Sequence, residues 1–86
     1  MFKVRSSEAP LSSNFYMKFD NGYAISLAMG GGTYSTGNAQ DGFTSVEVAV
    51  FDPDGNFFPL TEDNDVLGWQ SPKQVLEIIS RFESMA

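Results

Sequence analysis

The stretch NFYMKFDNGYAISLAMGGGTY, residues 14–34, decides the fold of this chain. Asn21-Gly22 lies between two runs of alternating apolar residues, which is the strongest short-range signal of a β-hairpin. A two-residue loop would place large side chains on both faces of the hairpin. A three-residue loop that ends at Gly22 instead pairs Phe19 with Tyr23 and gathers the large side chains on one face. We therefore expect a type I turn with Gly22 in the left-handed conformation.

This register gives the hairpin two unlike faces. The apolar face pairs Phe15 with Leu27 and Met17 with Ile25. The opposite face carries small and polar side chains, namely Tyr16, Lys18, Ala24, Ser26 and Ala28. Such a face is either a solvent-exposed sheet surface or a surface whose small side chains let a partner or a ligand approach the backbone closely.

The length and composition indicate one small globular domain over residues 1–86. Hydrophobic residues make up 42% of the chain, which is typical of a globular protein and not of a disordered one. A domain of this size has little core volume, and eight Phe residues help to fill it. Oligomerisation is the other common remedy, so we expect a homo-oligomer.

The charge is acidic, with a formal net charge of −6 from five basic and eleven acidic residues. The five basic residues are scattered and cannot form the basic stripe that binding to double-stranded nucleic acid requires. An acidic balance favours either solubility or docking on a basic surface of another protein.

Several chemistries are excluded because the chain has no Cys and no His. Disulfides, the usual zinc sites and cysteine or imidazole catalysis all need one of these residues. No paired carboxylates or nucleophile motif compensate, so we expect no enzyme, no cofactor and no metal. No run is long enough to span a membrane, and the first residues lack a signal-peptide pattern, so a cytoplasmic location is expected.

The rest of the chain divides into further predicted elements. Residues 1–13 predict an N-terminal arm or edge strand, and residues 30–42 predict a long connection that is either functional or mobile. Residues 43–60 predict a second hairpin around Pro53-Asp54-Gly55. Its predicted register pairs Val50 with Phe58, Val48 with Leu60, and Phe51 with Phe57 on the outer face. Residues 61–67 predict an acidic loop.

The C-terminal segment predicts a helix over residues 71–85. Ser71 is a good N-cap, Pro72 suits the first helical position, and Gln74 completes a capping box. Apolar residues recur at helical spacing at Val75, Ile78, Ile79, Phe82 and Met85. The predicted fold is therefore α+β: an antiparallel four-stranded sheet from two successive hairpins in residues 14–60, with the helix packed on one face.

The glycine-rich connection is the first candidate binding site. The backbone N–H groups of Gly30, Gly31 and Gly32 can approach a phosphate closely. Side-chain donors and acceptors follow at Thr33, Ser35, Thr36 and Asn38, and Tyr34 offers a ring for stacking a base. No helix start follows the glycines, so the segment matches neither a Walker loop nor a dinucleotide fingerprint. A mobile loop without a ligand is the alternative.

Trp69 is the second candidate. It is the single Trp of the chain and precedes the predicted helix. One interpretation is a lid on the core, and the other is a ring that stacks on a base or anchors a partner.

One larger pattern resembles a known group of proteins. The pattern consists of Phe19-x-Asn21-Gly22-Tyr23, Ser26, Gly30-x-Gly32-x-Tyr34, Glu47-Val48-Ala49-Val50, Gly55 and Asp65-x-x-Gly68-Trp69-x-x-Pro72-x-x-Val75. In order and spacing over residues 14–80 it resembles small acidic accessory proteins of tailed bacteriophages, most of which have no assigned function. Phage proteins of this size without catalytic residues are often inhibitors of bacterial immunity.

The resemblance implies three functional hypotheses. In the first, the protein sequesters a small nucleotide-derived immune signal in the infected host, with residues 30–34 on the phosphate, Tyr34 or Trp69 on the base, and Asp65 among the polar contacts. In the second, it is an acidic inhibitor that docks on a basic surface of a host defence enzyme or nuclease through residues 62–65. In the third, it is a structural module of the virion.

Overall fold

Six β-strands and one α-helix lie within residues 1–3, 12–38 and 40–85, which the computed structural model describes. The elements are β1 (Ser12–Lys18), β2 (Ala24–Gly30), β3 (Thr36–Asn38), β4 (Gly42–Phe51), β5 (Phe57–Phe58), β6 (Val66–Gln70) and α1 (Pro72–Glu83). All strand pairs are antiparallel, and α1 packs on the apolar side of the sheet. The predicted α+β class, with one sheet and one C-terminal helix, is confirmed.

The register of the first hairpin is the predicted one. Phe15 pairs with Leu27, and Met17 pairs with Ile25. The N–H of Phe19 donates to the carbonyl oxygen of Tyr23 at 2.7 Å, which closes a three-residue loop. The loop ends at Gly22, whose φ of +94° is in the left-handed region that glycine adopts without strain.

The ten-residue strand β4 is the centre of the sheet. The strand order is β1-β2-β4-β3, and β5 and β6 also pair with β4. The prediction of four strands missed two: β3 lies inside the segment that was predicted to be a connection, and β6 begins at Val66, within the last two residues of the predicted acidic loop. The N-terminal arm or edge strand was predicted over residues 1–13. In this segment Phe2 forms an isolated bridge with Phe43, and residues 4–11 lie outside the described residues.

The second hairpin was predicted correctly only near its turn. Val50 pairs with Phe58 and Phe51 with Phe57, as expected, but Val48 pairs with Leu67 and not with Leu60. The returning chain leaves the sheet at Pro59. The φ angle of proline is fixed near −65°, far from that of an antiparallel strand. The chain returns at residue 66 on the next rung of β4, so residues 59–65 form an extruded loop.

A bulge in β4 explains why Phe43 belongs to the core. One step along β3, from Thr36 to Gly37, matches two steps along β4, from Ser45 to Phe43. The extra residue, Thr44, reverses the alternation of side chains beyond it. Phe43 is therefore buried together with the valines of β4, although its sequence position is of the opposite parity.

The helix begins as predicted and ends two residues earlier than predicted. The hydroxyl of Ser71 accepts the N–H of Gln74 at 3.2 Å, and the amide oxygen of Gln74 accepts the N–H of Ser71 at 2.8 Å. Val75 and Phe82 are buried, while Ile78, Ile79 and Met85 pack at the margin of the core. In the part of the chain that the structure describes, no helix has the length and hydrophobicity needed to cross a membrane.

Asn21 connects the hairpin turn to the end of this helix. Its side-chain Nδ2 donates to the carbonyl oxygens of Phe82 and Met85, each at 2.7 Å, and more weakly to that of Glu83 at 3.4 Å. Its Oδ1 accepts the N–H of Tyr23 at 3.0 Å. Asn21 therefore bonds carbonyl groups at and just beyond the C-terminus of the helix, where intrahelical N–H donors run out.

Candidate functional site

Two of the predicted site residues, Tyr34 and Trp69, lie against each other at the sheet edge. Their ring centroids are 5.2 Å apart at an interplanar angle of 42°. The N–H of Trp69 donates to the carbonyl oxygen of Tyr34 at 2.8 Å, which fixes the two backbones together. The side chains are 58% and 60% exposed, so Trp69 is not the core lid of the first interpretation. We call these two residues the aromatic pair.

The backbone of Trp69 is strained. Between Val46 and Val48, β6 contains one residue more than β4, so Gly68 and Trp69 together oppose Glu47. Trp69 has a φ of +54°, and among the described residues it is the one non-glycine with positive φ. For a bulky side chain this conformation costs about 1–3 kcal/mol. Burial of the indole does not offset the cost, because most of the ring is in solvent.

Gly68 allows the two residues of the aromatic pair to meet. A Cβ atom at position 68 would lie 2.7 Å from the Cβ of Tyr34, closer than any real contact of this kind. Tyr34 therefore lies directly over the backbone of β6, and any larger residue at 68 would push it away.

The glycine-rich segment is closed by its own hydroxyl groups. The N–H of Gly30 donates to the hydroxyl of Ser35 at 3.0 Å, and the hydroxyl of Thr33 donates to the carbonyl oxygen of Gly30 at 2.7 Å. The hydroxyls of Thr33 and Ser35 lie 2.8 Å apart. These groups stabilise the loop in this structure, while Gly31 and Gly32 are exposed.

The remaining predicted site residues do not join the aromatic pair in this arrangement. Thr36 and Asn38 belong to β3, and the amide of Asn38 makes two hydrogen bonds to Asp41, at 3.1 and 2.8 Å. Asp65 is exposed immediately before β6. Since a strand rises about 3.3 Å per residue, Asp65 lies roughly 13 Å along the chain from Trp69.

The extruded loop presents the acidic residues of this region. Its ends are close together, and within it the N–H groups of Leu60 and Thr61 both donate to the carbonyl oxygen of Asn64, at 3.1 and 3.2 Å. Glu62, Asp63 and Asp65 are all exposed. Within the described ranges, no three acidic side chains converge closely enough to hold a metal ion.

The sheet face opposite the helix contains an open concavity of about 220 Å³, which we call the outer-face concavity. It is lined by Asn14, Ser26, Ala28, Glu47, Ala49, Phe51, Phe57 and Val66. The rings of Phe51 and Phe57 are 4.8 Å apart on its rim, as the predicted register requires. The sequence indicated the small side chains and the two Phe residues separately. The role of Val66 was missed because β6 was missed, although VLGWQ contains residues typical of a strand.

Comparison of the chain with protein-family models, curated proteins and solved structures gives no match. The features of this chain that bear on function are therefore the aromatic pair, the extruded loop and the outer-face concavity.

Proposed function

We propose that this is a non-enzymatic docking protein that inhibits its partner by covering a basic surface. The observation that carries the proposal is the aromatic pair: two large rings, held in contact by a strained backbone, that remain mostly exposed. Strain of this kind persists where the surrounding structure imposes it and concentrates at functional sites. Trp and Tyr are also the residues that most often dominate the energy of protein interfaces.

The extruded loop supplies the charge for this docking. The loop and Trp69 lie at the two ends of β6, on one edge of the sheet and roughly 13 Å apart along the chain, which fits within one ordinary interface. Exposed carboxylates contribute little to final affinity, but they accelerate association with a surface of opposite charge. The aromatic pair would then provide the short-range contacts that slow dissociation.

The class of partner follows from the acidic charge and the phage resemblance together. A net charge of −6 favours a basic surface such as the substrate-binding groove of a nuclease. We propose that the partner is a host defence enzyme or nuclease in the cytoplasm of an infected bacterium. Covering such a groove blocks the enzyme without any chemistry in the inhibitor.

A capture experiment from host lysate tests the proposal through matched variants. Asp63→Lys/Asp65→Lys reverses two charges on the extruded loop, and Glu77→Lys/Glu83→Lys makes the same change in net charge on exposed helix positions. We expect the wild type and the helix variant to retain the same protein and the loop variant to lose it. Equal retention by both charge variants would refute docking through the loop.

The aromatic pair needs its own control in that experiment. Trp69→Ala removes a ring that is 60% exposed, and Leu76→Ala removes an apolar side chain of α1 that is 66% exposed. Loss of capture with Trp69→Ala alone supports the proposal, whereas loss with neither variant contradicts it.

One observation favours a second candidate, sequestration of a nucleotide-derived signal. The exposed rings of the aromatic pair offer a flat surface for a base, and the exposed Gly31 and Gly32 lie two and three residues from Tyr34. A ligand that binds only the folded state must raise the melting temperature. A thermal-shift screen with cyclic dinucleotides and cyclic ADP-ribose isomers should therefore give a shift that Tyr34→Ala abolishes. No shift with any of them would exclude these ligands.

A further inference from the structure

Strand β1 leaves one edge of the sheet open in the described residues, where it pairs with β2 alone. Its seven residues pair in unbroken register, without a bulge, and the strand contains no proline. Because the N–H of Phe19 points to Tyr23, the alternation of an antiparallel ladder directs the N–H and carbonyl groups of every second residue outward. The outward-facing backbone groups are those of Ser12, Asn14, Tyr16 and Lys18.

The other edge of the sheet is built very differently. It consists of the short strands β3, β5 and β6, with register shifts opposite β4 and the extruded loop between β5 and β6. Short strands, bulges and interruptions are the usual means by which proteins prevent an edge from pairing with another chain. β1 has none of these protections except Lys18 at its end.

The charge of β1 also sets it apart from the rest of this acidic chain. The sequence SSNFYMK contains one Lys and no Asp or Glu, whereas the whole chain has a net charge of −6. Two copies that met at the extruded loop would bring the exposed Glu62, Asp63 and Asp65 of both copies together. Two copies that met at β1 would avoid this repulsion at the interface.

We propose that β1 pairs with β1 of a second copy of this chain, antiparallel and about a two-fold axis at Phe15. In this register Ser12 pairs with Lys18 of the second copy, and Asn14 pairs with Tyr16 of the second copy. All the outward-facing groups then find partners, which gives about eight backbone hydrogen bonds. No like charges are directly opposite each other.

The same register covers two exposed rings. Phe15 is 48% exposed although it lies on the apolar face, and at the two-fold axis it meets Phe15 of the second copy. Tyr16, 58% exposed on the outer face, lies beside Asn14 of the second copy. Cross-strand contacts of aromatic side chains stabilise paired strands.

Pairing at β1 leaves the opposite edge of each sheet available. The aromatic pair and the extruded loop lie on the side of β4 away from β2, so the joined sheet would present them at its two far ends. A dimer of this form could engage two sites on one oligomeric partner, which increases avidity without any new contact.

Sedimentation velocity over a wide range of protein concentration tests the pairing with two matched variants. Asn14→Pro removes one outward-facing N–H and keeps the inward bonds to β2, since proline is tolerated at outward positions of edge strands. Asn14→Ala keeps that N–H and removes only the exposed side-chain bond from Asn14 to Ser26. We expect the wild type and Asn14→Ala to dimerise and Asn14→Pro to remain a folded monomer.

A third variant makes the test independent of proline. Phe15→Lys places two positive charges opposite each other at the two-fold axis, at a half-exposed position where the long side chain can reach solvent. A folded monomer supports the proposal. A monomeric wild type at every concentration, or a dimer that survives in both Phe15→Lys and folded Asn14→Pro, overturns it.

Discussion

Replacing Asn21 with Asp separates the two roles that the structure gives this side chain. Asp-Gly is as favourable as Asn-Gly in a hairpin turn, and a carboxylate can still accept the N–H of Tyr23. The carboxylate cannot donate, however, to the carbonyl oxygens of Phe82 and Met85 that Asn21 bonds at 2.7 Å. The substitution therefore preserves the turn and removes the connection to α1.

The expected loss of stability follows from these contacts. The two partly buried hydrogen bonds to Phe82 and Met85 contribute about 1 kcal/mol each, so their loss should lower the free energy of unfolding by about 2 kcal/mol. Asn21→Asp adds repulsion between the carboxylate and the negative end of the helix dipole, about 0.5–1 kcal/mol. For a domain of this size, 1 kcal/mol corresponds to about 4–8 °C in melting temperature. We therefore expect Asn21→Asp to unfold roughly 10 °C or more below the wild type.

Thermal unfolding followed by circular dichroism, at neutral and at acidic pH, measures the effect. The carbonyl groups raise the pKa of the introduced carboxyl, because only its protonated form can donate to them. A raised pKa in the folded state means that the protonated form stabilises the fold and that this contribution disappears as pH rises. The difference in melting temperature between Asn21→Asp and the wild type should therefore be smaller at acidic pH than at neutral pH. Equal melting temperatures at neutral pH would refute the role of Asn21 at the helix end.

Three further substitutions test the site and its support. Trp69→Gly relieves the positive φ, so the free energy of unfolding should stay within about 1 kcal/mol of the wild type in urea titrations, while capture of the partner is lost. Gly68→Ala forces Tyr34 away, and the fluorescence of the single Trp should shift as the pair separates; an unchanged spectrum would contradict the close approach. Ser71→Ala breaks the capping box and should cost about 1 kcal/mol in the same titrations; no loss would mean that the cap contributes nothing.

The parts of the fold that follow from neighbouring residues were predictable from sequence. The first hairpin follows from Asn21-Gly22 and the alternation around it, because a one-residue slip would move its large side chains to the wrong face. The helix follows from Ser71, Pro72 and Gln74, which satisfy its first N–H groups locally. Both predictions depend only on residues within a few positions of one another.

The missed parts depend on pairing between distant residues. Leu67, and not Leu60, pairs with Val48 because the chain leaves the sheet at residue 59. The residues around Leu67 give no sign of this pairing. The bulge at Thr44 likewise exists only relative to β3. The connection from Asn21 to the helix spans 61 residues or more, so the sequence around Asn21 explains the turn alone.

In the candidate site too, single residues could be singled out from the sequence, but their contacts could not be predicted. Tyr34 and Trp69 were each singled out as stacking residues, but their contact requires β6 to pair with β4 and Gly68 to leave room. The hydroxyls of Thr33 and Ser35 were expected to serve a ligand, and the structure has them bonded to each other. Residue type thus singled out the two rings, while their contact with each other and the partners of the polar groups depended on the folded chain.

Association and dissociation rates with the captured partner test the docking proposal most directly. Asp63→Lys/Asp65→Lys should slow association, most strongly at low salt, and leave dissociation nearly unchanged. Trp69→Ala should accelerate dissociation about thirtyfold, the equivalent of a 2 kcal/mol interface anchor, at every salt concentration. Rates that neither variant changes would contradict the account, because the aromatic pair and the extruded loop would then lie outside the interface.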